Sequence, residues 1–199
     1  MKLPIVAYGS SLLRTQSKLV SPDYPNLKEL ISDMFETMYA ASGCGLAGCQ
    51  IGKPIQLIVF DTLQLEERRK QHNAHKADLD KSEQGMKLAI INPVIKKIYP
   101  EKVEIEEGCL SIPFIHIKVS RVKELVLSYQ DANFEFHQVK FGGFNARVFL
   151  HEYDHLQGKL ITDYLSIMKR KLISRKLKDI SNLNVNTDYE MYLPDEPKI

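Results

Sequence analysis

The chain has 199 residues, a length that fits one domain or two small ones and leaves room for a hydrophobic core. Its 44% hydrophobic and 26% charged residues are ordinary for a globular protein, and a net charge of +2 predicts no strong preference for DNA or other polyanions. No apolar run approaches the ~20 residues of a membrane span, and the first residues lack a secretory pattern. Three cysteines are too few for a disulfide framework and favour a reducing compartment, the cytoplasm.

The first regular element predicted along the chain is a helix over residues 27–40, where apolar residues recur every three or four positions. Residues 42–50 contain three glycines and are predicted to form a loop or an irregular strand. The short apolar run 55–60 is typical of a buried strand.

Residues 63–87 are strongly polar, and we interpret them as a surface insertion inside one domain that spans 1–199. Strand patterns resume after this segment, with apolar and polar residues alternating in several runs. The predicted strands are 89–91, 94–98, 103–106, 115–119, 124–129 and 134–139, with a hairpin turn at 131–133 between the last two.

Two further helices are predicted in the last third of the chain. Gly142 and Gly143 interrupt the strand pattern before a helix over about 145–156, and Gly158 ends that helix. A basic helix follows over 166–180, within a C-terminal helix and tail of 166–199. The predicted fold class is α+β, with small antiparallel sheets around a central helix and with an N-terminal and a C-terminal helix.

The central helix carries the sequence His151-Glu152-Tyr153-Asp154-His155, an H-E-x-x-H pattern. Residues four apart share one face of a helix, so the two histidines can point their imidazole rings at one metal ion. The glutamate between them can reach a water molecule that such an ion activates. The pattern fixes only three positions and also fits a plain exposed helix, so a third ligand must be found.

Cys109 is the candidate third ligand. It lies in Glu-Gly-Cys-Leu-Ser (107–111) at the end of a strand pattern, and a cysteine flanked by glycine can approach a metal as a thiolate. With His151 and His155 it would form a Cys-His-His site that leaves one coordination position open for water, as catalytic sites do. No histidine follows His155, and no downstream glutamate-bearing helix motif supplies the third ligand of common zinc peptidases.

Three segments together resemble the peptide deformylase family. That family carries G-x-G-L-A-A-x-Q, then E-G-C-L-S, then Q-H-E-x-D-H. This chain has Gly-Cys-Gly-Leu-Ala-Gly-Cys-Gln at 43–50, Glu-Gly-Cys-Leu-Ser at 107–111 and Leu-His-Glu-Tyr-Asp-His at 150–155. The motifs occur in the same order, and the resemblance extends from Pro4 to about Leu165.

The chain departs from the family pattern at three positions. Gly48 replaces an alanine, Cys49 replaces the usual proline, and Leu150 replaces the glutamine before the first histidine. None of these departures removes a metal ligand, the glutamate or Gln50. They leave two alternatives open: a catalytically impaired deformylase-like paralogue, and an amidase that acts on another N-acyl group.

The resemblance implies hydrolysis of the N-formyl group from the N-terminal methionine of newly synthesised polypeptides, with release of formate. Glu152 would act as general acid and base, and the Gln50 side chain and the Leu110 backbone N–H would stabilise the oxyanion. The implied cofactor is one divalent metal ion held by Cys109, His151 and His155. Fe²⁺ is the expected native metal, and Zn²⁺, Ni²⁺ or Co²⁺ can occupy the same site.

The resemblance also implies that N-formylmethionyl peptides bind by strand addition, pairing with 43–46 and with Gly108. We expect the methionine side chain to enter an apolar pocket. Its predicted lining is Cys44, Gly45, Phe144 and Val148, together with the ring of His151.

Three further expectations concern charged residues. Arg121 stands where the family usually has arginine, and we expect it to form an ion pair. Asp154 is expected to support the metal-binding helix, because ligating histidines usually have a partner for their second nitrogen. The six basic residues between Lys169 and Lys178 fit either a solvated helix face or a docking element for the ribosome.

Overall fold

The computed structural model of the protein describes residues 1–64 and 81–194. Its largest sheet has five strands, which are β2 (Gly45–Ala47), β3 (Leu57–Asp61), β4 (Lys87–Ile98), β7 (Glu124–Gln130) and β8 (Phe136–Gly142). The strand order is β2-β3-β4-β7-β8, and each neighbouring pair is antiparallel. β2 is therefore an edge strand of this sheet.

Two smaller sheets complete the strand structure of the described residues. β5 (Lys102–Cys109) and β6 (Ile112–Val122) form an antiparallel hairpin whose last pair is Cys109 with Ile112, so only Leu110 and Ser111 lie in the turn. β1 (Ile5–Val6) and β9 (Met191–Tyr192) pair in parallel. The predicted α+β fold with small antiparallel sheets is confirmed, and the short parallel pair is an addition to it.

Four α-helices lie wholly within the described residues. They are α1 (Leu27–Ala40), α2 (Gly143–Leu156), α3 (Ile167–Leu172) and α4 (Ser174–Ser181). The first two confirm the predicted N-terminal and central helices. The predicted C-terminal helix is instead two short helices separated at Ile173. Single 3-10 turns form at Ser11–Arg14, Gly48–Ile51 and Ile161–Tyr164.

The first four of the five residues of β3 are apolar because the strand is covered on both faces. Leu57 and Val59 pack in the cluster that contains Met34 and Met38 of α1. Ile58 and Phe60 point the other way, into the larger cluster that contains Ala146 and Phe149 of α2. The helix that carries the two histidines is thus anchored on the inner face of the five-stranded sheet.

The two ends of α2 are fixed by specific contacts. At the N-terminal end, the Asn145 amide donates to the carbonyl oxygens of Ser82 at 2.9 Å and Gln84 at 2.8 Å. At the C-terminal end, Gly158 has φ +69°, and a Cβ there would lie 2.4 Å from the Arg14 carbonyl oxygen. A residue with a side chain would be strained at this position, which explains the glycine.

The polar insertion predicted over 63–87 is only partly described. Residues 65–80 lie outside the described part of the chain. The end of the segment belongs to the folded domain, because Ser82 is buried beneath α2 and β4 begins at Lys87. Among the described residues, no helix has both the length and the hydropathy that crossing a membrane requires.

Candidate active site

The predicted metal ligands come together in the structure. The Cys109 sulfur lies 3.3 Å from Nε2 of His155, and one donor atom from each of Cys109, His151 and His155 lies within 4.8 Å of the other two. One thiol and two imidazoles within this span can hold a single metal ion of the zinc or ferrous type. None of the three cysteines of the chain forms a disulfide, so the Cys109 sulfur is available as a ligand.

Glu107 occupies the centre of a buried ion-pair network next to these residues. Its carboxylate accepts hydrogen bonds from Arg121 Nε at 2.7 Å and Arg147 at 2.8 Å, and it lies 2.9 Å from His151 Nδ1. Burial opposes ionisation of Glu107, but the hydrogen bonds from His151 and Arg121 prevail and hold its pKa at about 2. The carboxylate therefore stays charged and fixes the orientation of the His151 ring.

The sequence predicts one ion pair for Arg121, and the structure shows two, with Glu107 and with Asp154. Besides Glu107, it donates to Asp154 at 2.7 Å, and the Tyr164 hydroxyl also donates to Asp154 at 2.7 Å. Asp154 supports the helix from its outer side, whereas Glu107 is the carboxylate that reaches a ligand histidine. For His155, the second ring nitrogen, Nδ1, is buried without a hydrogen-bond partner among the described residues.

Gln50 lies beside Cys109, as its predicted role requires. Its oxygen accepts a hydrogen bond from the Ala47 backbone N–H at 2.9 Å, which fixes the orientation of the amide. The amide nitrogen then donates to the Ser111 hydroxyl at 3.2 Å and lies 3.8 Å from the Cys109 sulfur. A donor held in this way points into the same space as the three candidate ligands.

Glu152 is buried beside β2, with only 4% of its surface exposed. Its Oε2 has no hydrogen-bond partner among the described residues, and burial raises the pKa of the carboxyl to about 7, although His151 and Arg121 oppose this shift. A Cβ on Gly45 would lie 2.6 Å from Glu152 Oε1. Glycine at position 45 therefore makes room for the carboxylate.

A cavity of about 540 Å³ opens over these groups. All five residues predicted to bind substrate line it: Cys44, Gly45, Gly108, Phe144 and Val148. The predicted catalytic residues Gln50, Leu110 and Glu152 line it as well. Gly45 of the edge strand β2 and the preceding residues 41–44 line the cavity, so an extended peptide has access to this end of the strand and to the candidate metal ligands.

The three departures from the family motifs are accommodated without disturbing the site. Cys49 is fully buried and its thiol donates to the His155 carbonyl at 3.5 Å, so it packs against α2. A Cβ on Gly48 would lie 2.8 Å from the Lys53 carbonyl oxygen, so this backbone leaves no space for alanine. Leu150 packs at the edge of the main core cluster.

Comparisons with known proteins agree on one family. Residues 2–171 match the family model described as "Polypeptide deformylase". The chain is 39% identical over 198 residues to a peptide deformylase of Christiangramia forsetii, covering 100% of this chain and 99% of the relative. It is 42% identical over 191 residues to one of Flavobacterium johnsoniae, covering 96% and 95%.

Solved structures give the same result. A crystal structure of peptide deformylase from Ehrlichia chaffeensis superposes with a TM-score of 0.80 at 32% identity, covering 92% of this chain and 99% of that one. The structure of the Thermotoga maritima peptide deformylase superposes with a TM-score of 0.69 at 36% identity, covering 83% and 99%.

The fold and the site define a metal-dependent hydrolase, with an H-E-x-x-H helix on the floor of a peptide-sized cleft. The matches to the family model and to full-length relatives make the assignment specific. The chain belongs to the polypeptide deformylase family, whose members remove the N-formyl group from the N-terminal methionine of nascent chains and use a single divalent metal ion.

Sequence reasoning missed three contributions to the site. Glu107 belongs to the Glu-Gly-Cys-Leu-Ser motif, but its contact with His151 joins residues 44 positions apart. Arg147 precedes the H-E-x-x-H pattern by one helical turn, and this spacing was the signal that it shares the histidine face. Asn186–Tyr189 also line the cleft, and no motif marks them.

We predict that Glu107→Gln destabilises the protein by about 3–5 kcal/mol at pH 7, because two buried guanidinium groups lose their shared carboxylate. The pKa of Glu107 is about 2 in the folded protein against an ordinary value of 4.5. The contribution of Glu107 to the free energy of unfolding is therefore complete above about pH 4.5 and is lost as the pH falls toward 2. The difference in the free energy of unfolding between Glu107→Gln and the wild type should narrow between pH 5 and pH 3.

Urea unfolding at pH 7, 5 and 3 measures this effect. Glu106→Gln is the matched control, since the neighbouring side chain is exposed and should change stability by less than about 0.5 kcal/mol. Two results would contradict this explanation: an equal loss of unfolding free energy in both variants, or a stability difference between Glu107→Gln and the wild type that stays constant down to pH 3.

Proposed function

We propose that Cys109, His151 and His155 hold the divalent metal ion of this deformylase and that Glu152 moves the proton during hydrolysis. The observation that carries the proposal is the convergence of one sulfur and two imidazole nitrogens within 4.8 Å, beside a buried carboxylate on the floor of a cleft. His151 uses Nδ1 for Glu107, which leaves Nε2 for the ion.

The substrate peptide binds as an additional strand at the outer edge of β2. Extended peptides commonly add to exposed sheet edges, where main-chain hydrogen bonds supply affinity that does not depend on sequence. Gly108, on the opposite wall, lets the peptide backbone approach closely. The methionine side chain enters the apolar part of the cavity, which is formed by Cys44, Phe144 and Val148.

The chain's own residues then supply proton transfer and charge stabilisation. A divalent ion, when bound, acts as a Lewis acid toward water and the formyl carbonyl. Glu152 takes a proton from the attacking water and delivers it to the methionine nitrogen as the carbon–nitrogen bond breaks. The Gln50 amide and the Leu110 N–H donate to the oxyanion that develops on the formyl oxygen.

Fe²⁺ is the native metal in this proposal, and Zn²⁺, Ni²⁺ or Co²⁺ substitutes for it. A set of one thiolate and two imidazoles suits all four ions, so the donor set alone does not select among them. A ferrous ion beside a thiolate is open to oxidation, which makes anaerobic purification necessary. Elemental analysis of protein purified in this way identifies the metal.

A deformylase is expected to release formate rapidly from formyl-Met-Ala and to leave acetyl-Met-Ala nearly untouched in anaerobic buffer. The formyl group is small, and Glu152, Gln50 and the ligands crowd the floor of the cleft around the position of the acyl carbon. Comparable rates on the two peptides would favour an amidase for another N-acyl group. No turnover with Fe²⁺, Ni²⁺ or Co²⁺ loaded would favour an impaired paralogue.

The same assay tests the proton-transfer role. Glu152→Ala should lower kcat by at least about 10² while the protein keeps its metal, since the carboxylate transfers protons and is not a ligand. Glu104→Ala is a suitable control because this exposed side chain is not part of the cleft lining. Parallel loss of metal and activity in Glu152→Ala would argue against the assignment.

The basic helices α3 and α4 form a docking element for the ribosome in this proposal. Six positive charges lie on them, and the apolar side chains of Ile167, Met168 and Leu172 are also largely exposed. Clustered positive charge favours association with ribosomal RNA. Action on nascent chains at the ribosome would place the enzyme in the cytoplasm.

Co-sedimentation with ribosomes tests this docking and should weaken as salt rises from 50 to 200 mM. Neutralising the six basic residues should abolish pelleting while peptide turnover stays unchanged. An equal number of neutralised lysines elsewhere is the matched control. If both variants pellet as the wild type does, the docking proposal fails. The docking residues are Lys169, Arg170, Lys171, Arg175, Lys176 and Lys178, and the control residues are Lys96, Lys97, Lys102, Lys118, Lys123 and Lys140.

A further inference from the structure

The chain returns to the active site after α4, in a segment that lies beyond the residues matched by the family model. β9 fixes the end of this segment by pairing with β1 near the N-terminus. Ile5 N–H donates to the Glu190 carbonyl at 2.8 Å and Ala7 N–H to the Tyr192 carbonyl at 2.9 Å. These bonds hold the preceding residues, 186–189, against the cleft that they line.

Tyr189 makes the closest polar contact between this segment and the site. Its hydroxyl donates to the Leu110 carbonyl oxygen at 2.8 Å, across 79 positions of sequence. Leu110 lies between Cys109, a proposed metal ligand, and Ser111, which accepts a hydrogen bond from Gln50. One tyrosine therefore contacts the residue whose N–H is proposed to stabilise the oxyanion.

The turn that contains Leu110 is held from three directions. Tyr8 N–H donates to the Ser111 carbonyl at 2.9 Å, Gln50 donates to the Ser111 hydroxyl at 3.2 Å, and Tyr189 donates to the Leu110 carbonyl at 2.8 Å. The first two bonds restrain Ser111. Among the described residues, Tyr189 supplies the only side-chain hydrogen bond to Leu110.

We propose that Tyr189 is a positioning residue for the reaction. Its hydroxyl fixes the Leu110–Ser111 peptide group. Through the Leu110 Cα, this bond restrains the neighbouring Cys109–Leu110 peptide group, which carries the Leu110 N–H, and with it the place of the Cys109 sulfur. This inference rests on the proposed roles of those two residues. Oxyanion donors act through preorganised geometry, and a displacement of about 1 Å can cost up to 10² in rate, so a restraint on the donor's own turn has a measurable effect.

Tyr189→Phe tests the proposal because it removes the hydroxyl and keeps the ring. We expect kcat to fall about tenfold, less than the 10²–10³ seen when an oxyanion donor is removed, while KM changes by less than about twofold. The Co²⁺-loaded variant should also lose its metal to a competing chelator several times faster than the wild type, because the Cys109 turn is less restrained. Thermal unfolding of each variant shows that it is folded under the assay conditions.

Tyr192→Phe is the matched control from the same segment. The Tyr192 hydroxyl has no hydrogen-bond partner among the described residues, so both readouts should stay within about twofold of wild type. Unchanged kcat and Co²⁺ retention in Tyr189→Phe would overturn the proposal. Equal losses in the two variants, or failure of Tyr189→Phe to fold, would overturn it in favour of a purely structural role for the segment.

This experiment distinguishes failure of the proposed function from failure of the Tyr189 proposal. If the wild type releases no formate with any metal, the proposed function fails. The rate of Co²⁺ loss still measures whether Tyr189 restrains the Cys109 turn, since that readout needs no substrate.

Discussion

The buried carboxylate of Glu107 is the interaction on which the site depends. It is shared by Arg121 of β6, Arg147 of α2 and the ring of His151, so it ties the β5–β6 hairpin to the helix that bears the histidines. A carboxylate buried to this degree is stable only with such partners, and two guanidinium groups supply them. Cys109 lies two residues after Glu107 on the same strand. Fixing Glu107 therefore also fixes the position of the Cys109 sulfur relative to the rings of His151 and His155.

The rest of the site follows from that alignment. Once the hairpin is docked on α2, the Cys109 sulfur lies 3.3 Å from His155 Nε2, and Gly108 lines the cleft, where the proposed peptide would pass. The edge strand β2 forms the opposite wall, with Gly45 leaving space for Glu152. The proposed substrate strand, metal ligands and proton carrier are therefore aligned by one hairpin, one helix and one edge strand.

The sequence predicts those parts of the arrangement that depend on the spacing of residues within one helix or strand. The H-E-x-x-H spacing places His151 and His155 on one helix face, and the periodicity of 27–40 gives α1 its observed bounds. Contacts between distant segments carry no local pattern, so the pairing of Glu107 with Arg147 and the return of Tyr189 to Leu110 were not foreseen. The helical pattern of 166–180 is continuous in sequence, so it does not predict the division at Ile173, which ends the first helix and packs against the main core cluster.

Anomalous X-ray scattering from crystals of anaerobically purified protein tests the central claim most directly. The account predicts one strong peak within about 2.0–2.4 Å of the Cys109 sulfur and of one ring nitrogen from each of His151 and His155. It also predicts that Glu107 still contacts Nδ1 of His151 in that structure. A metal bound elsewhere, or a Cys109 sulfur beyond bonding distance of an ion held by the two histidines, would contradict it.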